Sequence, residues 1–168
     1  MKFLETMLPY FQGEKMEALV FILPIGLLCL VFGGWLLSEG QPGFTRGVAI
    51  PFVAMGLVIS IIGATVGFRT PMQTVQIKQA FQADPAAAIQ AEAVRMEKVN
   101  SAWTWYLAIW IIFGVAGLGL RLLSNSGFLN GLGIALVFFA GVGLLIDGFA
   151  DRRARGYGDV LAELRKAN

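Results

Sequence analysis

Residues 69–103, RTPMQTVQIKQAFQADPAAAIQAEAVRMEKVNSAW, form the one long polar interval of the chain, and their reading decides the fold. On either side, residues 18–68 and 102–149 are almost wholly hydrophobic, and each block is broken once by a short glycine-bearing turn. The expected architecture is an all-α integral membrane protein. It is a four-span helical bundle built as two hairpins joined by a cytoplasmic helical connector, with a long third helix projecting from the membrane.

Composition supports that class. Hydrophobic residues make up 57% of the 168 and charged residues 14%, with a mean hydropathy of +0.70, so there is too little polar surface to coat a soluble globule. A net charge of +2 gives no ground for nucleic-acid binding, because the placement of Lys and Arg matters more than their sum. Cys29 stands alone in an apolar run and forms no intrachain disulfide.

The spans are expected at residues 18–37, 47–68, 102–120 and 129–149, each long enough to cross a hydrocarbon core of about 30 Å. Residues 1–17 lack a cleavage-site pattern before the first span. They read as a cytoplasmic interfacial tail, with Phe3, Leu4, Met7 and Leu8 on a short amphipathic turn stopped by Pro9. Pro24 withholds an amide, and Gly26 follows it, so the first span should kink. In the second span Gly56, Ser60 and Ala64, and again Gly63 and Gly67, recur every four residues, the pattern of a close-packing helix face.

Within the connector, Asp84-Pro85 is a restart signal: Asp caps free amides and Pro suits the first helical position. Ile77, Ala80 and Phe81 form a short apolar patch before it. After it, Ile89, Ala93, Met96, Val99 and Trp103 repeat at helical spacing with no breaker before the third span, which predicts one helix over residues 85–121. Glu92 falls inside that stripe, with Arg95 at its border. The expectation is a local Glu92–Arg95 pair or a contact with Arg69, Lys78 or a partner protein. Trp103, Trp105 and Tyr106, three aromatics within four residues and followed by Trp110, mark a headgroup belt. Asp147 reads as an interfacial carboxylate near Arg152 and Arg153, and residues 150–168 as a basic cytoplasmic tail with a short amphipathic helix through Val160, Leu161 and Leu164.

The two hairpins resemble each other. Gly43-Phe44-x-x-Gly47-x-x-Ile50-x-x-Val53 matches Gly127-Phe128-x-x-Gly131-x-x-Ile134-x-x-Val137 at an offset of 84. Phe32-Gly33 pairs with Phe113-Gly114, and Leu36-Leu37-Ser38 with Leu122-Leu123-Ser124. A duplicated hairpin of this kind gives two repeats of like orientation, related by an axis along the bilayer normal.

Absences narrow function. The chain has no His and one Cys, no charged residue inside the first three spans, and no phosphate loop or nucleophile elbow, so no catalytic, cofactor or metal site is expected. The favoured reading is a non-enzymatic inner-membrane protein acting through helix and connector contacts. It would be an accessory subunit or an immunity-type protein against a membrane-acting toxin; the alternatives are a small oligomeric channel or transporter, or an enzyme built on Glu92, Asp84 or Asp147. Its partners are the lipid bilayer and another protein or further copies of the chain. Candidate interaction residues are Arg69, Glu92, Arg95 and Asp147.

The amino tail, connector and carboxyl tail hold eleven of the Lys and Arg residues, against Arg46 and Arg121 in the two turns. By the positive-inside rule both termini and the connector lie in the bacterial cytoplasm. Reporter fusions at Gln41 and Ser126 should therefore report the periplasm, and those at Asp84 and Asn168 the cytoplasm; one fusion on the wrong side breaks the topology.

Overall fold

The computed structural model describes residues 2–167, and they are nearly all helical. The chain forms α1 (Lys2–Glu17), a π-helical turn (Ala18–Ile22), α2 (Leu23–Ser38), α3 (Phe44–Ala83), α4 (Pro85–Leu123) and α5 (Gly127–Ala167). Because α1, the π turn and α2 run on without a break, there are four rods. All four are long and apolar enough to cross a membrane. At about 1.5 Å per residue each reaches roughly 55–60 Å, nearly twice a hydrocarbon core.

The excess length gathers at one end, around Asp84, as a four-helix head. Its core is Phe3, Met7, Tyr10 and Phe11 of α1, Ile89, Ala93 and Met96 of α4, and Ala154, Tyr157 and Leu161 of α5, with Ile77 and Phe81 of α3 packed against it. The amino tail is thus not an interfacial turn. α1 passes through Pro9, and its apolar side is covered by protein. Pro9 sits in the third turn of the rod. The carboxyl tail likewise is not a separate short helix but the end of α5, and its buried stripe is Ala154, Tyr157 and Leu161.

Asp84 takes an extended conformation (φ −150°, ψ 99°), and its carboxylate accepts a hydrogen bond from the Ala87 amide at 3.0 Å, with Pro85 at the first position of α4. This is the cap that the dipeptide predicts. Pro24 acts less simply than as a kink. The amide of Leu23 reaches back to the Ala18 carbonyl, five residues away, so the rod absorbs the proline through one wide turn placed just before it.

At the opposite end the connections are short. Gly40 and Gly43 have φ of +66° and +73°, a region that L side chains avoid, and they let the chain turn from α2 into α3. Between the spans the rods form a row: α2 lies against α3, α3 against α5, and α5 against α4. Gly56, Ser60, Gly63 and Gly67 are buried where α3 meets the first rod, while Ala64 is half-buried to one side. A Cβ on Gly56 would come within 2.8 Å of the Leu30 amide, and one on Gly63 within 2.6 Å of the Leu23 amide. The helices are therefore in backbone contact along this face.

The centre of the row is closer still. A Cβ on Gly47 would strike the Phe128 carbonyl, and one on Gly131 would strike the Phe44 carbonyl, a reciprocal arrangement at 84 residues' separation. A second such pair lies further out. Gly33 abuts the Ala49 carbonyl and Val53, and Gly117 abuts the Gly133 carbonyl and Val137, at 2.6 to 3.0 Å from the missing Cβ in each case. Gly33 thus shares its setting with Gly117, not with Gly114 as the Phe-Gly dipeptides suggest. Phe52 completes the centre, stacking on Phe138 at 5.1 Å and touching Phe32 and Phe139.

Leu at Gly56 or Gly63 would force these backbones apart, at a cost of about 1–3 kcal/mol each. Gly141, where an added Cβ meets nothing within 4 Å, provides the contrast. In detergent, Gly56→Leu and Gly63→Leu should melt several degrees below the parent, and Gly141→Leu should melt with it.

Candidate functional site

The stripe on α4 that carries Glu92 faces the inside of the head, so the carboxylate is 3% exposed, among Phe11, Ala93, Met96 and Tyr157. A buried carboxylate must be hydrogen-bonded on both oxygens. Arg95 supplies two bonds, Nε to Oε2 at 2.8 Å and Nη2 to Oε1 at 2.7 Å, and the Tyr157 hydroxyl donates to Oε1 at 3.1 Å. The guanidinium lies over the Phe11 ring at 5.4 Å, and Tyr157 stacks on Tyr10 at 4.5 Å.

Protonation follows from this packing. Burial raises the Tyr157 phenol, and the Glu92 charge raises it further. Burial likewise raises Tyr10, reinforced by Glu14. Both phenols keep their protons at neutral pH, which is what lets Tyr157 donate. Burial alone would lower Arg95, but the bonds and charge of Glu92 outweigh it and hold the guanidinium charged.

A second polar layer lies where the head meets the apolar rods. Arg69 approaches Glu14 at 3.7 Å, and the Thr70 hydroxyl donates to the Val66 carbonyl. Burial raises the Glu14 carboxyl above its ordinary value, against the pull of Arg69. Arg153 of α5 pairs with Glu17, its stem lying against Gly13. Asp147 meets neither Arg152 nor Arg153: its carboxylate accepts the Trp110 indole N–H at 2.6 Å, and the ring covers Gly143. Trp110 therefore belongs to helix packing, whereas Trp105 and Tyr106 are exposed.

The four candidate interaction residues thus fall into three separate places. Glu92 and Arg95 share one network, Arg69 pairs with α1, and Asp147 sits deeper along α5. Lys78, a partner considered for Glu92, is exposed. Tyr157, Glu14 and Glu17 were not singled out from the sequence. The available signal for Tyr157 was its position between Ala154 and Leu161 on one helical face, and for the two glutamates the survival of α1 beyond Pro9.

Chemically the network is self-satisfied: each oxygen of Glu92 is engaged. Among the described residues no three His, Cys, Asp or Glu side chains gather in a metal-binding arrangement. Compared with protein-family models, curated proteins and solved structures, the chain matches none.

Removing one partner of a buried ion pair costs about 3–5 kcal/mol when both are sealed; with Arg95 29% exposed, Glu92→Ala should cost about 2–3 kcal/mol. Tyr157→Phe should cost about 1 kcal/mol. The double variant should lose less than the sum in thermal melts, since both remove the same hydrogen bond.

Proposed function

We propose that the chain is a non-enzymatic polytopic protein of the bacterial inner membrane, with both termini and the Asp84 turn in the cytoplasm. It works by binding another protein, as an accessory subunit or as an immunity-type protein that blocks a membrane-acting toxin. The observation that carries this reading is where the polar and apolar groups are spent. In the head, Glu92, Arg95, Glu14, Glu17 and Arg153 are all engaged within the chain. The connector stripe of Ile89, Ala93 and Met96 is covered by α1 and α5. That leaves the head chiefly as a rigid support, the groove beside Ala93 and Met96 being lined by polar residues of α4 and α5 such as Glu97, Asn100, Asp159 and Arg165.

The apolar rods are the reverse. The most apolar 18-residue window of α4 is only 6% buried, against 39% for α3 and 33% for α5. Trp105, Ile109, Ile112 and Val115 lie on its uncovered side. The contact surface is therefore the membrane face of α4, and the partner is a transmembrane helix. The two hairpins are duplicated copies related by an axis along the bilayer normal. The reciprocal contacts of Gly47 with Phe128 and of Gly131 with Phe44 support this, as do the matched settings of Gly33 and Gly117.

A photo-crosslinking amino acid at Ile112 or Val115 should yield, in cells, a discrete protein adduct, either a second copy or a different membrane protein. Adducts with lipid alone at both positions would remove the partner-binding reading. The purified chain should show no ion conductance in liposomes; a reproducible conductance would favour a channel instead.

A further inference from the structure

Between the first rod and α5 the bundle does not close. A lateral groove of about 490 Å³ runs there, walled by Met16, Phe21 and Ile25 on one side and by Leu145, Ile146 and Phe149 on the other. Its volume is in the range of small-molecule sites. Its lining is apolar except at the end nearest the head, where Glu17 and Arg153 stand. The π turn forms part of the wall, and Phe21, at its fourth residue, is turned outward.

We propose that this groove is a binding site for an anionic glycerophospholipid, with one acyl chain lying along Ile25, Ile146 and Phe149 and the phosphate at Arg153 and Arg152. The inference rests on the reading that these rods span a bilayer. Two features identify the occupant. First, the groove is polarised along its length as an amphiphile is, charged at the head-side boundary and apolar for two helical turns beyond it. Second, the charge at the mouth is of the right sign. Arg153 is held in place by Gly13 against its stem and by Glu17 on one Nη, and its side chain is still 27% exposed. Arg152, next to it, is exposed and has no ion pair among the described residues. Of the nearby acids, Asp151 is held by Arg155, Asp147 by the Trp110 indole and Glu14 by Arg69, which leaves Glu17, already on Arg153, as the carboxylate that competes most directly for the phosphate. Basic side chains at the end of a spanning helix attract anionic headgroups in this way.

The test uses the full chain, stripped of lipid in detergent and offered phosphatidylglycerol and phosphatidylcholine in equal amounts, with native mass spectrometry reading what is retained. A single phosphatidylglycerol should be retained preferentially, and Arg152→Gln and Arg153→Gln should each reduce the preference about fivefold, the size expected for one basic residue at a membrane surface. Ile146→Trp, which fills the groove, should abolish retention of both lipids. Lys78→Gln, an exposed cation of α3 at the same end of the bundle but off the groove, should change nothing. Equal retention of the two lipids, a preference that survives Ile146→Trp, or a lipid-free dimer would each overturn the site. Alkaline carbonate extraction separates the two levels of the claim. A chain released from membranes would sink the spanning reading, whereas a chain that stays with them but shows no lipid preference would sink the groove alone.

Discussion

The structure depends on a backbone-to-backbone contact between α3 and α5 that only glycine allows. Gly47 lies against the carbonyl of Phe128 and Gly131 against that of Phe44, with no room for a Cβ at either place. With α3 and α5 drawn together at the centre, α2 is left on the far side of α3 and α4 on the far side of α5. The row follows from that one approach, and so do the groove beside α2 and the uncovered face of α4. Between lipid-facing helices there is no water to expel, so close approach of small residues has to supply the attraction that burial supplies in water.

The head is assembled by the other rule. There the rods bring together Phe3, Phe11, Met96 and Leu161, each at most 2% exposed, and the hydrophobic effect holds them. The same four rods thus pass from one packing regime to the other without a joint, and the crossover is where Glu14, Glu17, Arg69 and Arg153 lie. The pairs further out, Lys2 with Glu163 and Glu97 with Arg165, are exposed on both partners and add little.

The sequence showed clearly what depends on local chemistry. Asp84-Pro85 marked the break between α3 and α4 because a cap and a proline act within one turn. The spacing of Ile89, Ala93 and Met96 marked the buried side of α4 because helical period is local as well. What covers that side was not legible: Phe3, Met7 and Tyr157 lie roughly 60 to 90 positions away in the chain, and a single sequence carries no sign of the pairing. Pro9 was misread because, although a proline in the third turn removes a ladder hydrogen bond, packing of Phe3, Met7 and Phe11 in the head outweighs that loss. The offset of 84 was visible in the second helix of each hairpin. In the first it was obscured because the dipeptide and tripeptide matches there fall at offsets of 81 and 86, while the residues that share a setting, Gly33 and Gly117, are 84 apart.

The position of the glycine contact also makes the molecule a pair of levers. Gly47 and Gly131 lie near one end of their helices, and α3 continues from Gly47 to Ala83, an arm of roughly 54 Å. One degree of change in the crossing angle at that pivot carries the far end through about 1 Å. The head core closes around the tips of these arms, so it sets the angle at which they cross far below it.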